Sequence, residues 1–318
     1  RYDIVSAFAQ HAVTVAADPN PLAPAQYAAH HRYAVPAIEH PDYVPQLRSL
    51  CERHGVGAVV PVTDLDLEVL ARARVAGELP ALVPAPEIAR ATFDKYETHQ
   101  LLQSLGLPSP PTVLPAQPIA HFPVMVKPRR GSGARSIHRA DDPAAVAFFV
   151  DYVKEPVMIQ WLMDGPEFSI DCLSDLDQRC LNAIPRTMIE SRGGESIKGT
   201  VIDDPELVDL GRRVVEALGV RGPCTVQVFR DREIGLGITD VNTRFGGAFP
   251  APMYAAQPGR TYPELIVRLA RGEHIDPHVG KFQPGVTFTR YYWQLELDPQ
   301  LQPTGRDIVS PPGPPRPR

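Results

Sequence analysis

Along the first 85 residues, apolar stretches with strand-like spacing alternate with stretches at helical spacing. That alternation limits the fold more than any other feature of the sequence. "VTVAAD" (13–18), "GAVVPV" (57–62) and "PALVP" (80–84) read as strands. Between them, "YVPQLRSLCERHG", stopping at Gly55, and "DLDLEVLARARVAG", opened by Asp64, read as helices. Strands separated by helices pair in parallel, with the helices covering the sheet. "RYDIVSAFAQHA" places Ile4, Val5 and Phe8 at helical spacing. The chain therefore begins within a helix, and a first strand and turn are expected ahead of Arg1.

Near residue 92 the pattern changes. "TFDKYETHQLLQSLGLPSPP" predicts a helix capped by Asp94, with Glu97 completing the capping box and Gly106 and Pro108 ending it. Lys95 then falls in the first turn, where the helix dipole disfavours a cation unless an anion meets it. "FPVMVKP" and "EPVMIQWL" read as strands flanking the helix "DPAAVAFFVDYV", and "EFSIDCLSD" as another strand. "ELVDLGRRVVEALGV" is a helix, "GPCTVQVFRD" and "LGITDVNTRFGG" form a hairpin, and "TYPELIVRLARGEHI" is a last helix. The expected organisation is a unit over 1–91 and a second over 92–300. The second contains a small subdomain at about 112–160, and a proline-rich disordered tail follows over 301–318.

Composition matters mainly for what it excludes. The 318 residues carry a net charge of −5, without the basic surplus of a nucleic-acid binder. Cys51, Cys172, Cys180 and Cys224 have no metal-ligand spacing and read as reduced, structural thiols. No apolar run reaches spanning length and no secretory signal is visible, so a cytoplasmic location without membrane contact is expected. Apolar residues on the N-terminal helices suit a homodimer.

Chemistry shows in three places. In "ITDVNTRF", strand alternation puts Asp240, Asn242 and Arg244 on one face. Oxygen ligands at that spacing suit Mg²⁺, and the guanidinium suits a phosphate. Gln227, between two valines, is a further polar group on the neighbouring strand. The same pattern also fits a solvent-facing stripe. "VMVKPRRGSGAR" ends a strand in Lys127 and continues through Arg129 and Arg130 into Gly131, Ser132 and Gly133. Glycines let backbone amides approach phosphate, although a flexible turn looks the same. "QWLMDGPEF" runs a strand end into a tight turn and Glu167.

Taken in order, these features resemble the ATP-grasp superfamily, in particular its carbamoyl-phosphate-synthetase-like ligases, over roughly residues 1–295. The resemblance implies an α/β fold: an N-terminal Rossmann-like parallel-sheet domain, then a two-subdomain ATP-grasp with a small mobile lid. ATP would lie between lid and larger subdomain. It implies phosphate contacts from Lys95 and Lys127, a lid loop at Gly131, Ser132 and Gly133, and an adenine hinge at Gln160, Trp161 and Leu162. Glu167 would hold the ribose. Gln160 stands where the family often has glutamate. Gln227, Asp240 and Asn242 match the ligands of one or two Mg²⁺, with Asp240 replacing the usual glutamate. Arg244 and Lys127 would carry the catalytic charge.

The implied reaction activates a small carboxylate as an acyl phosphate for attack by an amine, releasing ADP and phosphate. "IPRTMIESRGGESIKG" offers Arg186, Arg192 and Lys198 for that carboxylate, although a solvated loop of mixed charge reads the same way. A noncatalytic ATP-binding module of the same fold is the alternative. A nicotinamide oxidoreductase ranks behind both, because no dinucleotide fingerprint is visible. His121 and His138 read as structural.

Overall fold

The structure is a computed structural model of the chain and describes residues 1–131, 136–192, 195–247, 251–291 and 294–305. Of Arg192 and Glu195 it describes the backbone. Ser132, Gly133 and Arg135, read as part of a phosphate loop, lie outside the described residues. So do the side chain of Arg192 and residues 306–318 of the expected tail.

The N-terminal part is built from α1 (Tyr2–Ala9), β1 (Val15–Asp18), β2 (His31–Ala34), α2 (Tyr43–His54) and α3 (Leu67–Val75). β1 and β2 pair in parallel, as the alternation requires. β2 has no apolar run, so the sequence pattern misses it. α2 stops where expected, with Gly55 left-handed at φ 60°. α3 begins at Leu67, later than expected, and Asp64 does not open it. The two further strands expected at 57–62 and 80–84 shrink to one parallel bridge, Val59 to Ala81. Pro61, Pro80 and Pro84 remove the donors a longer ladder needs. Leu47, Leu50, Leu67, Leu70 and Val83 form the core here.

α4 (Pro86–Phe93), which the sequence reading did not separate, meets α5 (Lys95–Ser104) at Asp94. Asp94 caps α5, accepting from the Tyr96 and Glu97 N–H groups. The expected capping box does not close. The Asp94 N–H goes to Ala91 O, and the Glu97 carboxylate pairs with Arg90 instead. A small antiparallel sheet follows: β3 (Thr112–Val113), β4 (Val124–Pro128), β5 (His138–Ala140), α6 (Pro143–Tyr152) and β6 (Val157–Trp161), in strand order β3-β6-β4-β5. α6 packs Val146 against Val124, Val126 and Ile159. His121 lies against Trp161 and His138 stacks on Phe149.

The larger part runs β7 (Glu167–Ser174), β8 (Cys180–Thr187), β9 (Glu190–Arg192), β10 (Glu195–Thr200), α7 (Pro205–Ala217), β11 (Gly222–Asp231), β12 (Gly235–Asn242), α8 (Ala251–Tyr254), α9 (Tyr262–Ala270) and β13 (Thr287–Thr289). Its main sheet is antiparallel, in order β12-β11-β7-β8. One face packs Ile170, Cys172, Val226, Val228 and Ile238 with Leu207, Leu210 and Val214 of α7. At one end of the sheet, Leu173, Leu181 and Ile184 pack with Tyr262, Leu265 and Ile266 of α9. Cys172, Cys180 and Cys224 are buried free thiols, as expected.

The link between the two sheets is tightly held. The Asp164 N–H donates to Asp231 Oδ2 (2.6 Å) and the Arg230 N–H to Pro166 O (3.1 Å). A Cβ on Gly165 would lie 1.9 Å from Arg230 O, a backbone atom that cannot rotate away. Gly165→Ala is expected to cost about 1–3 kcal/mol as overpacking. In urea unfolding this appears as a lower midpoint at unchanged slope; an unchanged midpoint would mean the link is not strained.

Candidate active site

Strand register assembles the site. Arg186 of β8 pairs with Ser169 of β7, Ser169 with Gln227 of β11, and Gln227 with Asp240 of β12. The four residues form one row across the sheet. Asp171, Thr225 and Asn242 form the next row on the same face, and Glu167 pairs with Phe229 on the other side. Within β12 a shift at Gln227/Val228 leaves Thr239 unpaired. Without that bulge, Asp240 would share a face with Ile238, which lies in the α7-side core. The bulge turns Asp240 and Asn242 to the cleft.

The small sheet supplies the opposite wall. Lys127 is 8% exposed, and its ammonium donates to Gln160 Oε1 (2.8 Å). Gln160 Nε2 in turn donates to Thr112 Oγ1 (2.8 Å). Burial, partly opposed by Asp240, lowers the Lys127 ammonium to about 8. The glutamine's side chain thus holds Lys127 in place. The Trp161 and Leu162 N–H groups donate to Pro111 O and Pro123 O. Both donors are thus engaged within the protein, while the two residues line the cleft. Met163, outside the predicted set, lines the cleft beside them.

The basic loop is tied down at the start of α5. Arg129 pairs with Asp94 (2.8 Å), Arg130 lies 3.4 Å from the same carboxylate, and Lys95 Nζ donates to Gly131 O (2.7 Å). Arg129 is therefore occupied by the helix cap, while Lys95, Arg130 and Gly131 line the cleft.

Lys95, Lys127, Gly131, Gln160, Trp161, Leu162, Glu167, Arg186, Gln227, Asp240, Asn242 and Arg244 all line one cleft of about 820 Å³. Arg244 donates to Asn242 Oδ1 (3.2 Å) and pairs with Asp64, 180 residues earlier, while its Nε is buried without a partner among the described residues. The Glu167 carboxyl is raised by burial, with Arg186 opposing. Lys198 does not join the cleft. It pairs with Glu190 (2.5 Å) at the surface, because a register shift in β10 separates it from Ser196, which lines the cleft.

The sequence reading also missed Asp171 and Thr225. Arg186 Nε donates to Asp171 Oδ2 (2.7 Å) and Thr225 Oγ1 to Asp171 Oδ1 (2.9 Å), all buried. Breaking such a buried pair costs about 3–5 kcal/mol. A signal was present: in "EFSIDC" the polar Glu167, Ser169 and Asp171 alternate with Phe168, Ile170 and Cys172. Nothing in the sequence points to Asp64.

Among the described residues no three His, Cys, Asp or Glu side chains form a metal cage. Asp240 with the Gln227 and Asn242 amide oxygens offers one carboxylate and neutral oxygens. That suits an ion held jointly with phosphates, the usual Mg²⁺ arrangement.

A family model described as "ATP-grasp in the biosynthetic pathway with Ter operon" matches residues 153–291. A second, "PylC-like, N-terminal domain", matches residues 1–78. Residues 153–291 are thus similar to an ATP-grasp family. A D-alanine–D-alanine ligase of Pseudomonas entomophila is 26% identical over 206 residues, 56% of this chain and 63% of that protein. The chain thus spans under two thirds of this relative. The ATP-grasp fold recurs in the Hydrogenobacter thermophilus 2-oxoglutarate carboxylase biotin carboxylase domain, solved with MgADP and bicarbonate. Its TM-score is 0.70 at 17% identity, over 90% of this chain and 70% of that one. It recurs again in an L-amino acid ligase from Bacillus licheniformis, with TM-score 0.62 at 20% identity over 82% and 68%. Among the described residues no helix is long and apolar enough to cross a membrane.

Proposed function

We propose that this chain is an ATP- and Mg²⁺-dependent ligase that joins a small carboxylic acid to an amine. The convergence of Lys127, Arg244, Gln227, Asp240 and Asn242 on one cleft carries this reading. The similarity to D-alanine–D-alanine and L-amino acid ligases supports it. The base lies among Met125, Leu162, Met163 and Phe229, with its backbone donor at Met163, and Glu167 accepts from the ribose hydroxyls. Lys95 and Lys127 bind the phosphates. Mg²⁺, held by Asp240, Asn242 and Gln227 together with phosphate oxygens, supplies further charge neutralisation when bound.

A carboxylate oxygen attacks the γ-phosphorus, and the bond to the ADP oxygen breaks with its electron pair. Arg244, which lines the cleft, stabilises the charge on the phosphoryl oxygens. The amine nitrogen then attacks the acyl carbon, phosphate leaves with the C–O pair, and the amine loses a proton. Positioning and charge are what such a transfer needs from the protein.

The test is ADP release from MgATP across a panel of amino acids and small acids. Release is expected to require both Mg²⁺ and an acid, and an ¹⁸O-labelled acid is expected to pass one label to the released phosphate. Tight ATP binding without acid-stimulated ADP would overturn the ligase reading in favour of a binding module.

A further inference from the structure

We propose that the acid is a dicarboxylate, one carboxylate reacting at the Asp240 end of the cleft and the other held by Arg186. This rests on the ligase reading. Arg186 is 2% exposed yet lines the cleft, and its Nη1 is buried without a partner among the described residues. Its other edge is occupied: Nε donates to Asp171 Oδ2, and Asp171 Oδ1 is taken by Thr225. Asp171 thus anchors the guanidinium from behind and cannot also satisfy Nη1. A buried donor left unmade is costly, and an anion entering the cleft would satisfy it.

Position separates this group from the reacting one. Arg186 lies two strands from Gln227 and three from Asp240 in the same row. At the usual strand spacing that is about 10 and 14 Å between backbones. The carboxylate that attacks phosphorus must touch the phosphate held near Asp240, Asn242 and Arg244, so the group on Arg186 is a second one. The row between them contains Ser169 and Gln227, both uncharged, which leaves room for a neutral spacer. Ser191 and Ser196, from the hairpin leading out of β8, also line the cleft and offer hydroxyls. Two carboxylates bear on Arg186: Asp171, paired with it, and Glu167, one residue pair further along the same face. Glu167 is the ribose acceptor in the ligase reading, which leaves Nη1 for the acid.

The test compares kcat/KM for matched pairs in which one carboxylate is lost: succinate with butyrate, glutarate with valerate, aspartate with asparagine, glutamate with glutamine. The diacid of at least one pair is expected to be preferred about tenfold or more. Arg186→Lys keeps a cation for Asp171 but loses the fork. The pair Arg186→Met with Asp171→Asn leaves no lone buried charge. Both are expected to erase the preference mainly through KM, and MgATP binding reports that each variant is folded. Equal use of monoacids by the unmodified protein, or a preference that survives in either folded variant, would overturn the proposal while leaving the ligase reading intact. No stimulation by any acid, with MgATP still bound, would remove the ligase reading and this proposal with it.

Discussion

Replacing Lys127 with methionine is expected to lower acid-dependent ADP release by about 10²–10³-fold, the usual cost of one preorganised charge at a phosphoryl transfer site. The same residue sets a pH dependence. Burial is the main cause of its lowered ammonium, at about 8; Asp240 opposes that shift, Lys95 adds to it and Glu167 opposes it. A bound phosphate favours the charged form and raises the value. The contribution of Lys127 to binding is therefore complete below pH 8. It is lost as pH rises through 8 toward the higher value of the complex. Phosphate is already fully ionised there, with its second ionisation near pH 6. ADP affinity measured without Mg²⁺ should be flat near pH 7 and fall by up to about tenfold per pH unit above 8. Lys127→Met should abolish the fall. Gln160→Glu puts a carboxylate where Lys127 now meets a neutral oxygen, so the inflection should move upward. A flat profile in the unmodified protein would remove Lys127 from the phosphate site.

Asp240→Asn is the second large effect. It removes the carboxylate from the proposed Mg²⁺ donor set while keeping the shape of the side chain. ADP release is expected to fall by about 10²–10³-fold, with half-saturating Mg²⁺ rising. Asp240→Glu, the residue the family resemblance implies at this position, should retain Mg²⁺-dependent turnover. The two predictions are coupled. Asp240 raises the Lys127 ammonium, so Asp240→Asn should also move the inflection in metal-free ADP binding below pH 8. An unchanged inflection would mean the two charges do not share a site.

The parts of the site legible in the sequence are those set by local periodicity. Lys127 at a strand end, Glu167 after a tight turn, and the Asp240, Asn242, Arg244 spacing are all short-range patterns, and the structure brings them into one cleft. Lys198 was misplaced because a register shift in β10 cannot be read from composition. Gln160 stood out only as a departure from glutamate. Its role in holding Lys127 to Thr112 depends on two neighbouring strands.

The sequence by itself determined the alternation of helix and strand, the Asp94 cap, the left-handed stop at Gly55, the β11–β12 hairpin and the resemblance to the ATP-grasp superfamily. Each is encoded within a few residues or in the order of short motifs. Only the tertiary structure decided that Thr239 bulges and turns Asp240 to the cleft, that Asp64 reaches Arg244, and that Arg186 is anchored by Asp171 with one nitrogen left over. These depend on strand register and on residues as far as 180 positions apart. A one-residue slip in register reverses which side chains face the cleft, and no local pattern records that choice.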